Sequence, residues 1–173
     1  MKKIGIICLA LVMALGAMGL GYALWSEVLT ISGTVQTGDI GAKWSVEGYG
    51  DNETTLKDVS SCVATGNNTD TLTVTITGAY PCVGYYVNWN IEGTGSVPIH
   101  FAAPSIDTSD MPSGATFTFT DDQGAAIDWP SLQLHDGDIQ LGKLTVHLDN
   151  TAAENTTYSF SANLTYGQYN EFP

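Results

Sequence analysis

Three close pairs of aspartates, Asp107 with Asp110, Asp121 with Asp122, and Asp136 with Asp138, are the side chains best suited to holding a hard cation. Loop carboxylates of this kind are what Ca²⁺ takes. None of the pairs has EF-hand spacing, and aspartates also gather in turns because their side chains bond nearby backbone N–H groups. Turn formation is the preferred reading, with Asp136 and Asp138 kept as Ca²⁺ candidates. Little here suits catalysis. His100, His135 and His147 stand apart, no Ser or Cys lies in a recognisable nucleophile context, and there is no His-Glu-X-X-His motif. A carboxylate pair for glycoside hydrolysis can be drawn from any chain with 18 acids, so it carries no weight. The expectation is a protein that is not an enzyme and needs no cofactor.

The remaining chemistry depends on compartment, and the first residues speak to that. Lys2 and Lys3 precede an uncharged apolar run, Ile4 to Leu20, and then Gly21, Tyr22 and Ala23. This order reads as a signal helix, residues 1–23, cut by signal peptidase after Ala23. The competing reading is a retained anchor, since the uncharged run to Trp25 is about 22 residues, inside the roughly 17 to 25 needed to span hydrocarbon. Export predicts a secreted, cell-surface protein whose only membrane contact is the signal segment before cleavage.

In an oxidising compartment Cys62 and Cys82 form an even pair once Cys8 is removed, and a disulfide between them is expected. Four Asn-X-Thr sequons, at Asn52, Asn67, Asn155 and Asn163, are glycosylation candidates. Tyr85, Tyr86, Trp89, Trp129 and Tyr169 could form a carbohydrate platform, but Tyr85 and Trp89 fall on a face assigned to the core.

The elements that carry these residues alternate with the period of strands. Leu72, Val74 and Ile76 interleave with threonines; Tyr85, Val87, Trp89 and Ile91 alternate with polar residues. Val97, Ile99 and Phe101 follow a turn through Gly93, Thr94 and Gly95, which predicts a hairpin with the preceding strand. Phe117 and Phe119 sit between threonines, and Tyr158, Phe160, Ala162, Leu164 and Tyr166 form a long closing strand. From Ile139 and Leu141 to Leu144, Val146 and Leu148 the apolar parity changes, which predicts a β-bulge near Gly142. Once the signal is set aside, only short pieces such as Thr151 to Asn155 are helix candidates. The predicted fold is all-β: a two-sheet antiparallel sandwich, jelly-roll-like, spanning residues 39–173.

Charge narrows the partners. The chain has 18 acidic and 5 basic residues; without Lys2 and Lys3 the balance is 18 against 3, or −15. Arginine is absent. Nucleic acid and anionic membrane surfaces need clustered cations to bind, so neither is an expected partner.

Residues 24–38 remain. Trp25, Leu29, Ile31 and Val35 form one face of a strand, with Ser26, Val28, Thr30, Ser32 and Thr34 on the other. It is either the first strand of its own sandwich or a strand given to a neighbour by β-strand addition. Here the sequence resembles the TasA and camelysin-type secreted fibre proteins, and in character their archaeal bundling-pilus relatives. The residues are Trp25 and Glu27 directly after the signal, then Gly33 to Ile40, Asn90 to Ile99, His135 to Asp138 before Leu144 to Leu148, Glu154 to Thr157, and Tyr166 to Glu171. The resemblance implies a jelly-roll subunit of an extracellular filament, polymerising with copies of itself by donor-strand complementation. Few lysines, a cysteine pair and an Asn-rich acidic surface depart from the bacterial members, which weakens a biofilm-matrix role more than filament formation. The alternative is a monomeric secreted or anchored module that recognises glycans or Ca²⁺.

Overall fold

The computed structural model describes residues 2–23, 33–35, 37–54 and 56–170. The chain divides into two units, Met1–Gln36 and Thr37–Pro173. In the first, α1 (Lys2–Ala23) is a single helix of 22 residues. Trp25, Leu29 and Ile31 lie outside the described residues; Val35 lies within them and is 90 % exposed.

Among its described residues the second unit has nine strands: β1 (Ala42–Asp51), β2 (Ser61–Thr65), β3 (Thr71–Ala79), β4 (Gly84–Gly93), β5 (Ile99–Asp107), β6 (Thr116–Asp121), β7 (Gln133–Leu134), β8 (Ile139–His147) and β9 (Thr156–Gln168). They form two antiparallel sheets, ordered β1-β4-β8-β6 and β2-β3-β9-β5-β7. The sheets share one core because each strand turns its apolar parity inward. Leu72, Val74 and Ile76 of β3 are fully buried, as are Tyr85, Val87, Trp89 and Ile91 of β4, Leu144 and Val146 of β8, and Phe160 and Ala162 of β9.

Three sequence expectations are corrected. The predicted hairpin between β4 and β5 does not form, because the two strands belong to different sheets. The end of β4 is held elsewhere: Gly93 N–H donates to Asp138 O, Gly137 N–H to Gly93 O, and Thr94 N–H to Gly41 O. Pro98 has no N–H to give a ladder and keeps Val97 extended, so residues 94–98 lead across the core instead of turning back. Ile91 and Ile99 are then both buried, one from each sheet.

The predicted bulge at Gly142 is also absent. Pairing of β8 with β4 runs unbroken from His147 opposite Gly84 to Ile139 opposite Glu92. Parity is conserved, so Ile139 and Leu141 point outward, 57 % and 44 % exposed. The inward position falls to Gly142, where a Cβ would collide with the Trp89 ring and come within 2.6 Å of Thr120 O. The Trp89 indole fills the space a side chain would need. Register shifts lie instead at Val46/Gly48 in β1, Ile76/Ala79 in β3 and Ala102/Ser105 in β5.

Third, Thr151 to Asn155 is a turn, not a helix. Asp149 accepts the Thr151 N–H at 2.8 Å, and Asn155 takes φ +50°. The one short helix in this unit, among the described residues, is a 3₁₀ turn at Trp129–Ser131, where Pro130 suits the first turn.

Candidate functional site

A two-sheet sandwich has two flanks, and here they differ. On one flank the sheets are stitched together. Trp44 of β1 bridges Thr69, with Trp44 N–H donating to Thr69 O at 2.8 Å and Asn68 N–H donating to Trp44 O at 2.7 Å. Asn67 Oδ1 accepts Val46 N–H at 2.8 Å.

The other flank lies between β6 and β5, and little backbone pairing spans it. Among the described residues, β5 pairs outward only through Ile99 and His100, with the two-residue β7. β6, among the described residues, pairs outward only through a bridge from Thr120 to Ala126, supported by Asp121 N–H donating to Ala125 O at 2.8 Å. The loop from Asp122 to Leu132 covers part of this flank and inserts Trp129, which is 8 % exposed. Trp129 stacks on Trp89, with ring centroids 6.1 Å apart, and meets Phe119 edge-on at 5.6 Å. Phe119 and Phe117 of β6 face the core yet are only half-buried. Phe117 meets Phe160 edge-on at 5.0 Å. An inward aromatic on a sheet edge stays half wet unless another strand or loop covers it.

One aspartate of each pair serves a turn. Asp138 Oδ2 accepts His135 N–H at 2.8 Å, Asp107 Oδ1 accepts Ser109 N–H at 3.1 Å, and Asp121 Oδ1 accepts from Gln123 and Ala125. The Ser109 hydrogen bonds hold the Asp107 carboxyl below its ordinary range. Asp122 accepts from Gln123 Nε2, Asp110 from Ser159, and Asp136 is exposed beside Gly137. Among the described residues no three His, Cys, Asp or Glu side chains are grouped to hold a metal ion.

The expected Cys62–Cys82 disulfide is not present; both thiols are free. Cys62 sits mid-strand on the inward face of β2, opposite Ile76, and burial, aided by the Asp51 charge, pushes its thiol up to about 11. Cys82 lies beyond the end of β3 in an exposed turn at φ +64°, where its Sγ meets Asn150 Oδ1 at 3.2 Å. One thiol faces the core and the other solvent.

Of the sequons, Asn52 accepts Gly84 N–H, Asn67 accepts Val46 N–H, and Asn163 accepts the Thr71 hydroxyl. Asn155 is exposed in the turn before β9. The aromatic residues do not form one platform. Tyr85, Trp89 and Trp129 are core, Tyr86 lies under the Lys143 ammonium at 4.8 Å, and Tyr169 meets His100 edge-on at 4.4 Å.

One polar cluster has no sequence signature. Glu53 Oε2 accepts the Ser60 N–H at 2.9 Å and the Ser60 hydroxyl at 2.7 Å, and buried Tyr85 donates to Ser60 Oγ at 3.0 Å. Tyr80 donates to the same carboxylate, with the Lys57 ammonium 4.3 Å above its ring. Burial works to raise the Glu53 carboxyl, but the bonds from Tyr80, Ser60 and Val59 together hold it below its ordinary range. The carboxylate bond, then burial, pushes the Tyr80 hydroxyl up to about 12. The cluster pins the loop around Glu53 and Ser60 to β4 and to the turn after β3. Glu53, Ser60 and Tyr80 are too far apart in sequence, and too ordinary in type, to be grouped by spacing.

No family model, curated protein or solved structure matches the chain.

Proposed function

We propose that this protein is an exported structural subunit that polymerises into an extracellular surface filament by giving its N-terminal strand to the next copy. The observation that carries the reading is a division of apolar residues. Among the described residues the buried core is drawn from Ala42 to Ala162, whereas Val35, the last residue of the apolar stripe at 24–35, is 90 % exposed. A stripe of Trp25, Leu29, Ile31 and Val35 gains about 1.5 to 3 kcal/mol for each large side chain it buries. Each ladder hydrogen bond adds about 0.5 to 1.5 kcal/mol net. A flank with little outward pairing offers both.

The resemblance to TasA and camelysin-type fibre proteins supports the same reading and favours a jelly-roll arrangement for the sandwich. The apolar helix α1 acts as the export signal, and its removal after Ala23 frees the strand. No catalytic step enters this function.

Electron microscopy and circular dichroism test it together. The chain beginning at Leu24 is expected to form continuous filaments. The variant lacking Leu24 to Val35 is expected to form none while keeping its β-sheet signal and cooperative melt. Loss of the fold on deletion would place the strand in its own sandwich and overturn the proposal.

A further inference from the structure

We infer that the acceptor of the donated strand is the free edge of β6. This rests on the donor-strand reading above and names where the partner copy binds. Four strands end a sheet: β1, β6, β2 and β7. β1 and the turn after β2 are joined to each other through Trp44 and Thr69. β7 has two residues and lies beside β5, whose exposed length carries Pro104 within its irregular stretch. Proline and a bulge are devices that discourage edge pairing.

β6 has no such device. Thr116 to Asp121 alternates threonine and phenylalanine, and its one charge, Asp121, stands at the end. All six residues pair inward with β8. In an antiparallel strand every second residue aims its N–H and C=O at the same side. Asp121 N–H points outward to Ala125, so Phe117 and Phe119 present their backbone groups outward too, and among the described residues neither N–H has a partner there.

The occupant is residues 24–35 of a second copy. That segment alternates in the same way, with Leu29, Ile31 and Val35 against Thr30, Ser32 and Thr34, and Glu27 is its only charge. Seated beside β6, its apolar face covers Phe117 while its threonines continue the threonine face. In a chain so acidic, a nearly uncharged strand meeting a nearly uncharged edge avoids the repulsion met elsewhere on the surface. Asp39 marks where the segment leaves the sandwich: its N–H donates to Ser96 Oγ at 3.1 Å, and Ser96 Oγ donates back to its carboxylate at 3.0 Å.

Hydrogen exchange on the unaltered chain beginning at Leu24, compared between monomer and filament, provides the first test. The Phe117 and Phe119 amides are expected to slow by about tenfold or more on assembly, joining the amides already bonded to β8. The second test mixes two mass-labelled full mature chains, both Cys82→Ser. One carries Thr30→Cys, and the other carries Thr116→Cys, Thr118→Cys or Thr120→Cys. One of the three combinations is expected to give a disulfide between differently labelled chains under mild oxidation. Filaments with unchanged Phe117 and Phe119 exchange and no such link would overturn the β6 assignment and leave the donor-strand reading standing. A link formed only within one chain would show the strand folding back on its own β6 and overturn the partner. Absence of any filament would overturn the underlying reading as well.

Discussion

Tyr80, Glu53 and Ser60 show how single side chains hold a loop that the strands do not. The Tyr80 hydroxyl has its folded value raised from 10.0 to about 12, so its bond to Glu53 is intact below pH 10 and is lost as pH rises through about 12. Glu53 is shifted down from 4.5, so its contribution is present above that value and is lost as pH falls through the lower folded one. Thermal melts from pH 7 to 12 check the alkaline side. The native chain is expected to lose stability between pH 10 and 12, whereas Tyr80→Phe starts lower and closes the gap by pH 12. A constant gap across that window would mean the hydroxyl is not the titrating group. None of this was legible in the sequence, because hydrogen-bonded triads assembled from a loop, a strand entry and a turn have no spacing rule. Aspartates were legible as turn formers, since Asp107, Asp121 and Asp138 each bond backbone within a few residues.

Elements with clean alternation were readable before the fold was known, and those with a glycine at an inward position were not. Buried Leu72, Val74 and Ile76 and the β4 series follow the two-residue period because both faces of their strands have fixed roles. β8 misleads because Gly142 vacates an inward site for Trp89 while Ile139 and Leu141 occupy outward ones. Denaturant titration separates the two registers. Leu141→Thr is expected to change stability by no more than about 0.5 kcal/mol, and Leu144→Ala to cost about 2 to 5 kcal/mol. A core-sized loss at Leu141 would restore the bulge. The β4–β5 turn misleads for another reason: local pattern identifies two strands and a turn, but not which sheet the second strand joins.

At the scale of the molecule the ruling quantity is charge. Cut after Ala23 as proposed, the chain would carry −15 and repel its copies, and that repulsion is screened over about 8 Å at physiological ionic strength against about 30 Å at 0.01 M salt. Light scattering is therefore expected to show faster assembly as NaCl rises from 0.01 to 0.15 M, with matched ionic strength of CaCl₂ giving a similar rate. A demand for Ca²⁺ beyond its ionic strength would instead point back to the loop aspartates. Composition made this legible from the start, and strand alternation did the same for the two-sheet class. The flank left short of partners was not, because it arises from the order of strands in two sheets. The most direct measurement is a cryo-electron-microscopy reconstruction of filaments grown from the chain beginning at Leu24. The account predicts residues 24–35 traced out of one subunit and paired as a strand in the sheet of the next, and finding that segment paired within its own sandwich would contradict it.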